Sequence, residues 1–181
     1  MPTGALPGTD MERFLKDALR FVGWTDADGE MVRRTSPLVL EREAELTSAL
    51  YDHFLSMPDS ARFFLGTDGT PDRVRLERRK HSLARWLKET AQAAITQDSA
   101  YYLLMIGLSH SHRPPTPDRP GGTVPAHMMV GAMSLTQTAL AGIFAAGLPA
   151  EDALAASVAW NKLLLVHLNA LLLGYLPKEH R

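Results

Sequence analysis

Met105-Ile106-Gly107-Leu108-Ser109-His110-Ser111-His112, followed at once by Arg113-Pro114-Pro115, is the stretch on which the reading of this chain turns. Two histidines stand at the end of an apolar run, and consecutive prolines then force the backbone out of helical form. A helix advances ~100° per residue, so positions two apart are separated by roughly 200°. His110 therefore shares a face with Leu103, Ile106 and Gly107, and His112 falls on the opposite side. Gly107 leaves part of that face bare of side chain, which would let a flat group approach the backbone closely. On these residues alone a core histidine satisfied by a carbonyl is the commoner outcome, and a ligand histidine is the alternative. A metal site using His110 and His112 together ranks lowest, because helical spacing splits the pair.

At 181 residues the chain has the size of one domain with a substantial core. A net charge of -1 offers no basic field for nucleic acid or an anionic membrane surface. Seven His and eight Met with no Cys leave imidazole and thioether as the soft ligands, excluding disulfides, iron-sulfur clusters and thiolate zinc sites. Residues 1–10 show no export signal, so the expected compartment is the cytoplasm. Residues 163–176 are very apolar, but the run is shorter than the ~20 residues a span requires. His167 and Asn169 also interrupt it, which points to a buried or dimer-interface helix rather than a membrane segment.

Punctuation predicts a series of helices with almost no strand signal. Thr9 with Glu12 forms a capping box for a first helix to about Val22, and a short second helix starts at Thr25, weakened by Gly29. Ser36 and Pro37 read as N-cap and first-turn proline of a helix to about Ser56. Pro58 restarts a short helix through Phe63 and Phe64, and residues 66–69 form a turn. Thr70 with Pro71 opens a long helix to about Ala94, and Asp98 caps the helix carrying His110. Residues 113–122 are too rich in proline and glycine to be regular. Pro125 opens the next helix, which Gly147 ends, and Pro149 opens the last, ended near Gly174. The fold class is all-α, with about eight helices.

Projection of these helices also sorts their side chains. Tyr51 lies within roughly 40° of Leu40, Ala44 and Leu55, which makes it a core-facing tyrosine whose hydroxyl needs a partner. Packing is the ordinary role of such a residue. On the helix after Pro71, Leu76, Leu83 and Leu87 form the inner stripe with Trp86 at its edge, and His81 is nearly opposite Leu83. The arginines of that helix read as a solvated face, with Arg79 and Lys80 flanking the stripe where they would meet an anionic group at a pocket mouth.

Tyr51 with Phe54, then Met57-Pro58, Asp68-Gly69-Thr70-Pro71, Trp86, the 106–110 run and Val124-Pro125 form an ordered set of marks. In this the chain resembles the protoglobin family, kin to the globin domains of globin-coupled sensors. The resemblance implies a globin fold with an additional N-terminal helix and one haem b held between two helices. Residues 1–35 would be the N-terminal extension and extra helix covering the haem, and residues 36–181 the globin core. The family's proximal histidine falls on His110 and its distal tyrosine on Tyr51. Phe54, Trp86, Leu103, Ile106 and Gly107 would also contact the cofactor, with Leu135 on the helix behind it. Two positions depart from the family pattern: Leu50 stands where tryptophan is usual, and Leu83 where phenylalanine is frequent. These smaller side chains would widen ligand access.

A haem iron takes a neutral imidazole whose other ring nitrogen is held by a carbonyl or hydroxyl, here the backbone of Leu108 or Ile106, or Ser109. His112 and His127 compete for that axial role. The function implied is reversible binding of O2, CO and NO for gas binding or sensing, with no room in 181 residues for an output domain. A homodimer through the last two long helices is expected, using Met128, Met129, Met133 and the 163–173 stripe, without nucleic acid or membrane. Two alternatives stand beside it. One is a haem enzyme reacting with NO, nitrite or peroxide, its open pocket also suited to carbene chemistry. No distal histidine or arginine is expected on the inner face for acid-base cleavage of a peroxide. The other is a haem-free interaction module.

Overall fold

The structure, a computed structural model, describes residues 10–112 and 122–176, and within them eight α-helices are joined by short turns. They are α1 (Met11–Phe21), α2 (Asp26–Glu41), α3 (Glu43–Ser56), α4 (Pro58–Ala61), α5 (Arg73–Ala91), α6 (Gln97–Ser111), α7 (Ala126–Gly147) and α8 (Ala150–Leu173). Extended pairing among the described residues is confined to one isolated bridge, Leu65 to Pro71. The prolines at 125 and 149 and the glycines at 147 and 174 bound α7 and α8 as their chemistry predicts. The Thr9 cap and most of the loop after His112 lie outside the described residues.

Helix starts differ from the sequence reading at four points, each for a local reason. Asp10 caps α1 by accepting from the Arg13 N–H. Thr25 opens α2 with a reciprocal box to Asp28, and α2 then runs straight through Pro37 to Glu41 instead of restarting there. The Ser36 hydroxyl donates to the Arg33 carbonyl at 2.8 Å, the acceptor that Pro37 leaves without an N–H. The break comes at Arg42, so the 35/36 boundary between extension and globin core falls inside a continuous helix. Before α5, Thr70 is tied by its hydroxyl to Asp68 across the turn at Gly69 (φ +76°), and Asp72 is the cap. Before α6, Thr96 and Ser99 cap each other's backbone, leaving Asp98 in the first turn.

The central element is α8, which packs on α7, α6, α2 and α1. Trp160, Leu163 and Leu164 on it are almost wholly buried. The Trp160 indole donates to the Thr35 hydroxyl at 2.9 Å, and Lys162 donates to the Gly23 carbonyl and pairs with Asp28. Burial pushes the Asp28 carboxyl up, but the Lys162 and Thr25 hydrogen bonds outweigh it and hold the group below its usual range.

By length and composition α7 and α8 are both long and apolar enough to cross a membrane, although more than half of the apolar window of α8 is buried inside the protein. The residues expected at a dimer surface divide: Met133, Leu163, Leu164, Val166, Leu168 and Leu171 are buried within one chain, whereas Leu165 of the same stripe faces outward, as do Val130, Leu154 and Val158.

Candidate functional site

Between two groups of helices lies a cavity of about 350 Å³. On one side α3 packs against α5; on the other α6 packs against α8, and α7 closes the space from behind. Its size falls in the roughly 300–1,000 Å³ range of small-molecule and cofactor sites.

The α6 wall carries the imidazole. His110 Nδ1 lies 2.7 Å from the Ile106 carbonyl oxygen one turn earlier, and the Ser109 hydroxyl donates to the same oxygen at 2.8 Å. A carbonyl only accepts, so Nδ1 carries a proton, and in the neutral form of such a ring the lone pair lies on Nε2. Ile106, not Leu108, is therefore the orienting partner. His112 diverges as the helical spacing demands: it is exposed, with Nδ1 2.6 Å from the Ser111 hydroxyl. His127 and His81 are also exposed, and none of these three lines the cavity.

The facing wall carries the phenol. Tyr51 is 8% exposed and sits edge-on to Phe54 and Phe64 at ring separations of 5.6 and 5.5 Å. Burial pushes its hydroxyl up to about 12, with the Arg79 charge pulling the other way, so it stays protonated as a hydrogen-bond donor at neutral pH. Leu50, Leu83 and Trp86 complete the apolar part of this side. The buried Trp86 indole nitrogen has no partner among the described residues, and the indole stands edge-on to His167 at 6.3 Å.

Seven of the ten residues expected at the cofactor line this cavity: Leu50, Tyr51, Phe54, Leu83, Trp86, Ile106 and His110. Leu103, Gly107 and Leu135 do not. Leu103 is buried in the core at 2% exposure, and Leu135 packs against that core from α7. Gly107 faces α8 rather than a flat group: a Cβ there would stand 2.0 Å from the Leu171 carbonyl oxygen. The bare position lets the α8 backbone approach, and Leu171 in turn reaches the cavity wall.

Other members of the lining lie outside the ten residues expected at the cofactor. Met128, Met129 and Met133 point inward from α7, and Arg75 and Arg79 reach in from α5. Arg79, expected beside the stripe at a pocket mouth, stands four residues before Leu83, where a long side chain follows the inner face. An arginine on the inner face was not expected, and its presence there is a correction.

Helix order, the helical cavity and the carbonyl-held imidazole on its wall define a globin fold. The globin domain of a globin-coupled sensor from Geobacter sulfurreducens is similar in structure, with a TM-score of 0.74 and 22% identity over 88% of this chain and 96% of that one. No curated protein matches the chain. The family described as Protoglobin matches residues 11–181, and the chain belongs to that family.

Proposed function

We propose that this protein binds haem b through His110 and uses the ferrous cofactor to take up O2, CO and NO reversibly, for gas binding or sensing. The observation that carries the reading is the His110 imidazole, held as the Nδ1–H tautomer by Ile106 on the wall of an otherwise largely apolar cavity. That donor set suits an iron porphyrin: one imidazole nitrogen, apolar and aromatic walls, and arginine in the lining, the residue type that pairs with carboxylates. When bound, the cofactor supplies an iron able to coordinate a diatomic ligand. His110 would hold and orient it, Leu50, Leu83 and Ile106 would exclude water, and Tyr51 would donate a hydrogen bond to the ligand's partly negative outer atom. CO offers little to such a donor, so Tyr51 favours O2 in particular. Gly107 would act one layer out, through the α6–α8 crossing, and Leu103 and Leu135 by supporting the core.

A haem enzyme acting on NO, nitrite or peroxide is the second reading, favoured by one observation, the guanidinium of Arg79 on the cavity wall. A cytoplasmic homodimer through the outward faces of α7 and α8 accompanies the first reading, supported by the exposed Val130, Leu154, Val158 and Leu165.

The test is an absorption spectrum after haem reconstitution, recorded ferric, ferrous and ferrous-CO, for the parent and His110→Ala. A Soret band that moves with CO in the parent and is lost or altered in the variant supports the reading. Failure of the parent to retain haem overturns it and leaves the interaction module.

A further inference from the structure

Arg79 stands one helical turn before Leu83 and lines the same cavity as Tyr51, close enough for its charge to act on the phenol. Arg75, which also lines the cavity, donates to the Leu65 carbonyl at 3.1 Å and pairs with Asp72 at 3.3 Å, fastening the turn before α5. No carboxylate among the described residues lines the cavity.

A phenol O–H and a guanidinium beside it form a poor match for a neutral diatomic alone, because CO gains almost nothing from a fixed positive charge. They match an anion well. A small anion loses hydration on entering a largely apolar space and needs a charged donor to replace it. Coulombic attraction there is stronger than in water because the local dielectric is lower.

Resting on the haem reading above, we propose that Tyr51 and Arg79 form a subsite for a small monovalent anion of the azide or nitrite type, on the side of the cofactor that faces α3 and α5. Tyr51 supplies a hydrogen bond and Arg79 the charge. A carboxylate of the cofactor is a competing anionic partner for the same guanidinium. The inner position of Arg79, on the stripe with Leu83 and Trp86 and near the Tyr51 hydroxyl, favours the incoming anion.

Sodium azide titrated into the ferric, haem-loaded protein and followed by absorption tests this. Arg79→Leu is expected to weaken azide by roughly 10- to 100-fold, the range of a hydrogen bond to a charged group. Arg79→Lys should recover part of the loss. Arg78→Leu removes the same charge from an exposed position outside the cavity and should stay within about twofold of the parent. Should Arg79→Leu misfold, Arg79→Gln removes the charge with less change in shape and is read the same way. Equal azide affinity in the Arg78 and Arg79 variants, with haem retained, overturns the proposal. So does a fall in haem content at unchanged azide affinity, which assigns Arg79 to the cofactor's carboxylates. Absence of haem uptake by the parent overturns the reading of the site and this inference with it, and the parent's spectrum alone reveals that case.

Discussion

The Cα of Gly107 on α6 faces the backbone of Leu171 on α8 so closely that a Cβ at 107 would stand 2.0 Å from the Leu171 carbonyl oxygen. Gly174, just beyond α8, returns the contact, since a Cβ there would come within 2.5 Å of the Gly107 carbonyl carbon and the Leu108 nitrogen. Ser111 strengthens the crossing by donating its hydroxyl to the Gly174 carbonyl. Helices that meet backbone to backbone leave no flexible side chain to yield.

Gly107→Ala should therefore cost about 3 kcal/mol or more, the upper part of the overpacking range, despite alanine's better helix propensity. Gly174→Ala should behave alike. Urea unfolding midpoints check both, and a midpoint equal to the parent's would show that α6 and α8 are not in contact here. Because His110 is on the same helix, haem affinity should fall with stability in both variants.

Tyr51→Phe removes the hydroxyl and keeps the edge-on contacts to Phe54 and Phe64. O2 dissociation from the ferrous protein should rise by about tenfold, the worth of one ordinary hydrogen bond, while CO dissociation changes far less. Since the phenol is pushed up to about 12, the parent's O2 dissociation should show no titration from Tyr51 between about pH 6 and 10. Equal O2 off-rates in parent and variant, measured by flow kinetics, would remove Tyr51 from the distal role.

His167 is buried behind Trp86, with Nδ1 at 3.5 Å from the Thr90 hydroxyl oxygen, and burial drives it down to about 4. In the unfolded chain the same group titrates near 6.5, so the folded pKa is depressed. Its contribution is then complete above pH 6.5 and is lost as pH falls toward 4, because the unfolded chain takes the proton first. Over that window the loss amounts to about 3 kcal/mol. Between pH 7.5 and 4.5 the parent should lose more stability than His167→Leu, and parallel losses in urea midpoints would contradict the burial of this ring.

Much of this was legible in the chain itself, where residue chemistry leaves one solution. Pro125 and Pro149 cannot sit deep in a helix without cost, and α7 and α8 begin right after them. Ser36-Pro37 misleads because the same pair that opens a helix is tolerated inside one when the serine hydroxyl serves the abandoned carbonyl. Thr70-Pro71 misleads because Asp68 takes the threonine first. At the site, helical projection puts His110 and Tyr51 on inner faces, which the cavity supports. It places Gly107 on an inner face too, but an angle on a wheel does not say which neighbour waits there, and that neighbour is α8. Arg79 and Lys80 both flank the apolar stripe and read alike as arms at a pocket mouth, but only Arg79 lines the cavity, a choice that spacing alone does not make.

The central claim, that His110 is the axial ligand, is tested most directly by His110→Gly with free imidazole. Glycine opens a space where the ring was, and a neutral imidazole added to the solution is the missing donor. The haem spectrum of the variant should differ from the parent's and return toward the parental ferrous and ferrous-CO bands as imidazole is added. A parental spectrum in His110→Gly before any imidazole is present would mean that another residue holds the iron.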